Sequence, residues 1–135
     1  MAEFISHSDE ALRAVTDAID AALEAMALQA VSHAKVNITV ADRADTGNMR
    51  NSISHVVQDG AAYVGTNVSY AIYNELGTGV YITGGRRSPW AYQDDKGRWH
   101  RTRGMRPIHF LKNAVQDHID EYRRIAESVI SSNRP

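Results

Sequence analysis

The stretch SDEALRAVTDAIDAALEAMALQAVSHA, residues 8–34, decides the architecture. Its apolar residues Leu12, Val15, Ile19, Leu23, Met26, Ala30 and Ala34 fall three or four apart, the spacing that lines side chains along one helix face. Ser8 stands where an N-cap belongs, and Asp9 and Glu10 occupy the first turn, where carboxylates meet the positive end of the helix dipole. The helix is expected to stop where β-branched residues collect, at Val36-Asn37-Ile38-Thr39-Val40. That gives a long helix over 8–36, about 28 residues and roughly 40 Å. So long a helix offers surface to a neighbouring subunit as well as to a core. Ala18, Ala21, Ala22 and Ala25 suit close subunit packing, although core burial explains them nearly as well.

Beyond a polar stretch from Asp42 to Asn48, two strand-like runs, Ile53–Gln58 and Ala61–Thr66, flank Asp59-Gly60. Asp-Gly between β-prone runs predicts a hairpin over 53–66, because a type I′ turn needs positive φ at both central residues. Ser69 to Leu76 reads as a short helical turn ended by Gly77. Pro107 then opens a second amphipathic helix over 107–130, with Ile108, Leu111, Val115, Ile119, Tyr122, Ile125 and Val129 on one face. The tail Ser131–Pro135 is expected to fray. The fold class is α+β: a small antiparallel sheet flanked by a long N-terminal and a C-terminal helix, in one domain over 1–135.

Residues 80–106 differ in character. They hold seven basic residues against two acidic ones, a balance of +5; the rest of the chain, eight basic against fourteen acidic, stands at −6. Asp95-Lys96-Gly97 separates Trp90-Ala91-Tyr92 from Arg98-Trp99-His100, so the segment reads as a long basic arm carrying its own small hairpin. Arg86, Arg87, Trp90, Tyr92, Arg98, Trp99, Arg101 and Arg103 are the candidate assembly contacts, since Trp, Tyr and Arg are enriched where protein interfaces concentrate their energy. The same residues offer a second reading, a small nucleic-acid-binding module in which arginines hold phosphates and aromatic rings stack on bases.

Several chemistries find no support. There are no cysteines, and the net charge is −1. No apolar run approaches the roughly 18 residues of a membrane span, and the N-terminus lacks the pattern of a secretory signal. The six histidines (7, 33, 55, 100, 109 and 118) show neither an H-x-x-x-H pair nor a carboxylate–histidine cluster at ligand spacing, with His109 and His118 on different helix faces, so no metal is expected. Gly77-Thr78-Gly79 lacks the lysine of a phosphate-binding loop and reads instead as a hinge leading into the arm. Glu75 has no partner acid or histidine beside it. It is expected to be a structural carboxylate, paired with an arginine of the arm on the same or a neighbouring subunit, and no catalytic residue or cofactor is assigned.

Three segments in order carry a resemblance: Asp45-Thr46-Gly47-Asn48-Met49-Arg50-Asn51-Ser52-Ile53, then Val64-Gly65-Thr66-Asn67-Val68-Ser69-Tyr70-Ala71-Ile72-Tyr73-Asn74-Glu75-Leu76-Gly77-Thr78-Gly79, then Arg106-Pro107-Ile108-His109-Phe110-Leu111-Lys112-Asn113-Ala114. Together they resemble the tail-component, or tail-completion, family of long-tailed bacteriophages and prophages. Thr46, Gly47, Gly65, Tyr70, Glu75, Gly77, Thr78, Pro107, Phe110 and Leu111 are the matching motif positions. In the first motif Thr46 is placed to cap a short helix, Gly47 to permit a tight turn and Ser52 to satisfy a nearby backbone group. The third segment departs from the pattern, with Ile108-His109 set between the proline and Phe110-Leu111.

The resemblance implies a non-enzymatic virion protein of the neck, present in the host cytoplasm during assembly. It implies a homo-oligomeric ring of six copies between the tail terminator and tube on one side and head-side adaptor or stopper proteins on the other. Transient contact with the passing genome DNA is compatible with that place, and no membrane is involved.

Overall fold

In the structure, a computed structural model that describes residues 7–41, 43, 47–94 and 96–132, the organising element is helix α1, Ser8–Val40. Its 33 residues measure about 50 Å. The capping position falls on His7, not on Ser8, and the His7 carbonyl accepts from Ala11 N at 2.9 Å. The helix also runs four residues past its expected end. Helical Val, Ile and Thr cost only about half a kcal/mol each relative to alanine. Ile38 is completely buried, which is worth about 2 kcal/mol or more. Asn37 Nδ2 additionally donates to Phe110 O at 3.1 Å, so tertiary packing outweighs propensity.

After the short helix α2, Asn48–Asn51, strands β1, Ser54–Gln58, and β2, Ala61–Gly65, pair antiparallel with His55 opposite Val64 and Val57 opposite Ala62. Asp59 and Gly60 both take positive φ, 54° and 74°, as the turn type requires. Helix α3, Ala71–Leu76, is followed by a 3₁₀ turn at Gly79–Tyr81. Strands β3, Trp90–Gln93, and β4, Trp99–Thr102, form a second antiparallel pair. The described strands thus make two separate two-stranded sheets.

The C-terminal helix is interrupted. Helix α4 spans Phe110–Gln116 and α5 spans Ile119–Ser132, with a turn at Asp117–His118. Pro107 does not open it: Ile108 N donates to Asn74 O at 2.8 Å, and His109 takes a left-handed conformation (φ 48°) before the helix begins. Ser131 and Ser132 are still helical; the last three residues of the tail lie outside the described residues.

The core gathers Ala34, Ile38, Met49, Ile53, Ala71, Phe110 and Ala114, with Phe110 wholly enclosed. Farther toward the N-terminus α1 is closed by α5, which buries Ala18 and Ala22 within the same chain, so these two alanines are not free for subunit packing. Ala21 and Ala25 are partly covered. Beyond Ala18 the helix projects. From Ser8 to Asp17 every residue but Ala14 is exposed, including Leu12 and Val15 of the apolar stripe, and Ile19 is exposed as well.

Candidate functional site

The three motif segments converge on one knot. Asn74 is buried beside it, and Arg43 reaches in to donate from Nη1 to Asn74 Oδ1 at 2.9 Å and from Nη2 to Arg106 O at 3.1 Å. Within the chain Glu75 does not meet an arginine of the arm. Its carboxylate accepts from Leu111 N at 3.0 Å and Lys112 N at 2.8 Å, acting as the cap of α4. Thr78 bonds Met105 twice, N–H to carbonyl at 2.9 Å and Oγ1 from N–H at 2.8 Å. Gly77 packs against Pro107, and Phe110 fills the core.

Gly79 is not a hinge. A Cβ there would lie 2.0 Å from Arg103 O, and one on Gly104 would lie 2.2 Å from Thr78 O. The two glycines let the backbones cross in contact, and Val80 N donates to Arg103 O at 3.0 Å across that crossing. The basic segment is therefore cinched at its base.

Of the remaining motif positions, Gly47 takes φ 79° and starts α2, and Ser52 Oγ donates to Met49 O at 2.6 Å. Thr46 lies outside the described residues. Tyr70 precedes α3 with its side chain exposed, and nothing within 4 Å of Gly65 explains a glycine there.

The arm candidates separate into two groups. Arg86 lies over the Trp90 ring at 5.4 Å; Arg87 donates to Val80 O and Ile82 O; Arg98 pairs with Asp94 at 3.3 Å; Tyr92 stacks on His100. These residues are engaged within the segment itself. Asp94 organises its tip, accepting from Lys96 N and Arg98 N and meeting His100 Nε2 at 2.7 Å. Asp94 is held below the usual carboxylate range, first by the hydrogen bond to His100 and then by that from the Arg98 amide. Arg101 and Arg103 make no side-chain hydrogen bond or ion pair with a described residue, and Trp99 is 70% exposed. The strand register puts Trp99, Arg101, Ala91 and Gln93 on the outer face of the hairpin. The opposite face borders an open cleft of about 550 Å³, lined by Arg43, Tyr81, Trp90, Tyr92 and Arg106 among others.

The fold also brings together a cluster that the spacing gave no reason to expect: His33, His118 and Glu121, with candidate ligand atoms within 4.8 Å of one another. Glu121 Oε2 lies 3.0 Å from His33 Nε2 and 3.3 Å from His118 Nδ1. The two imidazoles are stacked, however, 3.5 Å apart and 4° from parallel. In-plane lone pairs on parallel rings do not converge on one ion, so the arrangement is that of a carboxylate gathering two imidazole N–H groups. Beside it the Tyr122 hydroxyl donates to Ala114 O, and burial, then the Glu121 charge, pushes its pKa up to about 12. The i,i+3 spacing of His118 and Glu121 was visible in sequence; their pairing with His33, on another helix, was not.

A family model described as "Bacteriophage HK97-gp10, putative tail-component" matches residues 2–77. The chain belongs to this HK97-gp10-like family. The match runs from the N-terminus through α1, the first hairpin and α3, and ends at Gly77, where the cinched basic segment begins. The HK97-gp10-like region therefore holds the first motif segment and the second as far as Gly77, while the third reaches it through the Glu75 cap and the bond from Ile108 N to Asn74 O. No curated protein and no solved structure matches the chain. No described helix is long and apolar enough to cross a membrane.

Proposed function

We propose that the chain is a structural subunit of the phage neck that assembles into a ring of six copies, completing the head-proximal end of the tail and joining it to the head connector. The observation that carries this reading is membership of a tail-component family. The side-chain geometry supports a division of labour: Glu75, Gly77, Thr78, Phe110 and Leu111 tie the subunit together, which leaves recognition to the exposed surface. That surface includes Trp99 with Arg101 and Arg103, the exposed aromatic–arginine combination that binding interfaces favour. Under this reading the protein catalyses nothing. Its partners are further copies of itself, a tail terminator or tube protein below, and a head-side adaptor or stopper above.

Antibody-gold labelling of purified particles tests it. Label confined to the head–tail junction is the expected result, and particles lacking the protein would overturn it. A second reading, a nucleic-acid-binding module, is favoured by the free Arg101 and Arg103 beside a solvent-facing indole. Titration with DNA at two salt concentrations separates the two, since phosphate-driven binding falls log-linearly with salt.

A further inference from the structure

We propose that the projecting end of α1 on one copy receives the outer face of the β3–β4 hairpin of the next, one contact repeated head to tail. This rests on the self-assembly reading above and names its contact.

The apolar stripe of α1 is continuous in sequence but covered only in part. Its C-terminal half lies in the core, whereas Leu12, Val15 and Ile19 carry the same stripe past the end of the folded body, with Leu12 66% exposed. A helix face so patterned is built for burial. Its surroundings say what would bury it. Between Ser8 and Glu24 stand five acidic residues, Asp9, Glu10, Asp17, Asp20 and Glu24, against Arg13 alone. Glu24 is occupied by His55 at 2.6 Å, and Asp17, two residues from both Val15 and Ile19, stands on the opposite side of the helix; Asp9 and Asp20 are exposed, flank one edge of the stripe and make no ion pair with a described residue. The stripe therefore suits a partner surface that is apolar at its centre and cationic at its edge.

The hairpin's outer face has that composition: the Trp99 indole with Arg101 on the same face, and the exposed Arg103 just past the end of β4. The two surfaces cannot meet within one chain. The hairpin is rooted at Arg106, which Arg43 ties to the C-terminal end of α1, and Leu12 lies about 40 Å away along the helix. Four-residue strands, about 13 Å long, do not bridge that distance. Two different patches at opposite ends of a subunit make a heterologous contact, the kind that closes into a ring when its rotation permits. Opposite charges across it would fix the register and reject like-with-like pairing.

Four exposed positions test the contact in the full-length protein. Asp9→Lys with Asp20→Lys reverses the acidic edge of the helix patch, and Arg101→Glu with Arg103→Glu reverses the hairpin patch. Sedimentation velocity should show each variant monomeric where the wild type oligomerises, a weakening of about tenfold or more. Circular dichroism should match the wild type in both. An equimolar mixture of the two variants should assemble again, because alternating copies restore Lys–Glu and Asp–Arg contacts throughout. If both variants oligomerise like the wild type, or the mixture fails to recover, the contact is wrong while the ring reading stands. A wild-type chain that stays monomeric at every concentration would overturn both.

Discussion

Glu75 closes the start of a helix 36 residues further along the chain, its carboxylate accepting from the backbone N–H groups of Leu111 and, one residue on, Lys112. The capping role that a local Ser or Asp fills in most helices is supplied here from α3. The local residue, His109, is left-handed, and its side chain makes no capping bond. The Glu75→Ala variant should therefore lose about 1–2 kcal/mol of stability, the range for a lost cap. Glu75→Gln, which keeps one acceptor, should lose less. Chemical denaturation of the three proteins checks the order, and an unchanged midpoint in Glu75→Ala would remove the cap from the account.

Gly79→Ala places a methyl group on the Arg103 carbonyl and asks for a left-handed alanine as well. The crossing should open, freeing the segment from Thr78 to Met105 while α1 and the first hairpin keep their structure. Amide hydrogen exchange reads this directly: protection at Val80 N should fall well before that of β1 and β2.

Acid should loosen the second hairpin through Asp94. Its folded pKa is depressed below the ordinary 3.8, so its contribution is fully present above that value and is lost as pH falls through the lower, folded value. Tryptophan fluorescence followed downward from neutral pH should report a step below pH 3.8 that the Asp94→Asn variant lacks. A variant with the same step would place the titrating group elsewhere.

At the other end of the scale, the neutral Tyr122 hydroxyl holds Ala114 O, and its folded pKa of about 12 lies above the ordinary 10.0. Its contribution is present below pH 10 and disappears as pH rises through about 12. Ultraviolet absorbance titration should show one tyrosine ionising near pH 12, absent in Tyr122→Phe.

Local signals were legible in the sequence and distant ones were not. The α1 periodicity, the Asp59-Gly60 turn and the stop at Gly77 are each decided within a few residues, and each appears in the structure. The end of α1 was misplaced because its last turn is held by Phe110, 73 positions from Asn37. The break at Asp117–His118 was missed for a related reason: apolar spacing is the same in one helix or two, and the stacking of His118 on His33 is invisible from either residue's neighbours. Charge counting points Glu75 to an arginine, whereas in the structure two backbone amides meet its carboxylate. Periodicity likewise puts Leu12, Val15 and Ile19 on one face without saying whether anything covers it.

The crossing at Gly79 and Gly104 has a kinetic meaning. Drawing together the ends of a segment of some two dozen residues costs chain entropy that grows with the logarithm of its length. Here that cost falls within the folding of the chain itself, since Thr78 and Met105 are already clasped in a single chain. Under the proposed contact, a neighbour meeting this segment would find a preset grip in place of a free thread, so the association rate should follow collision and orientation, with no separate ordering step to slow it.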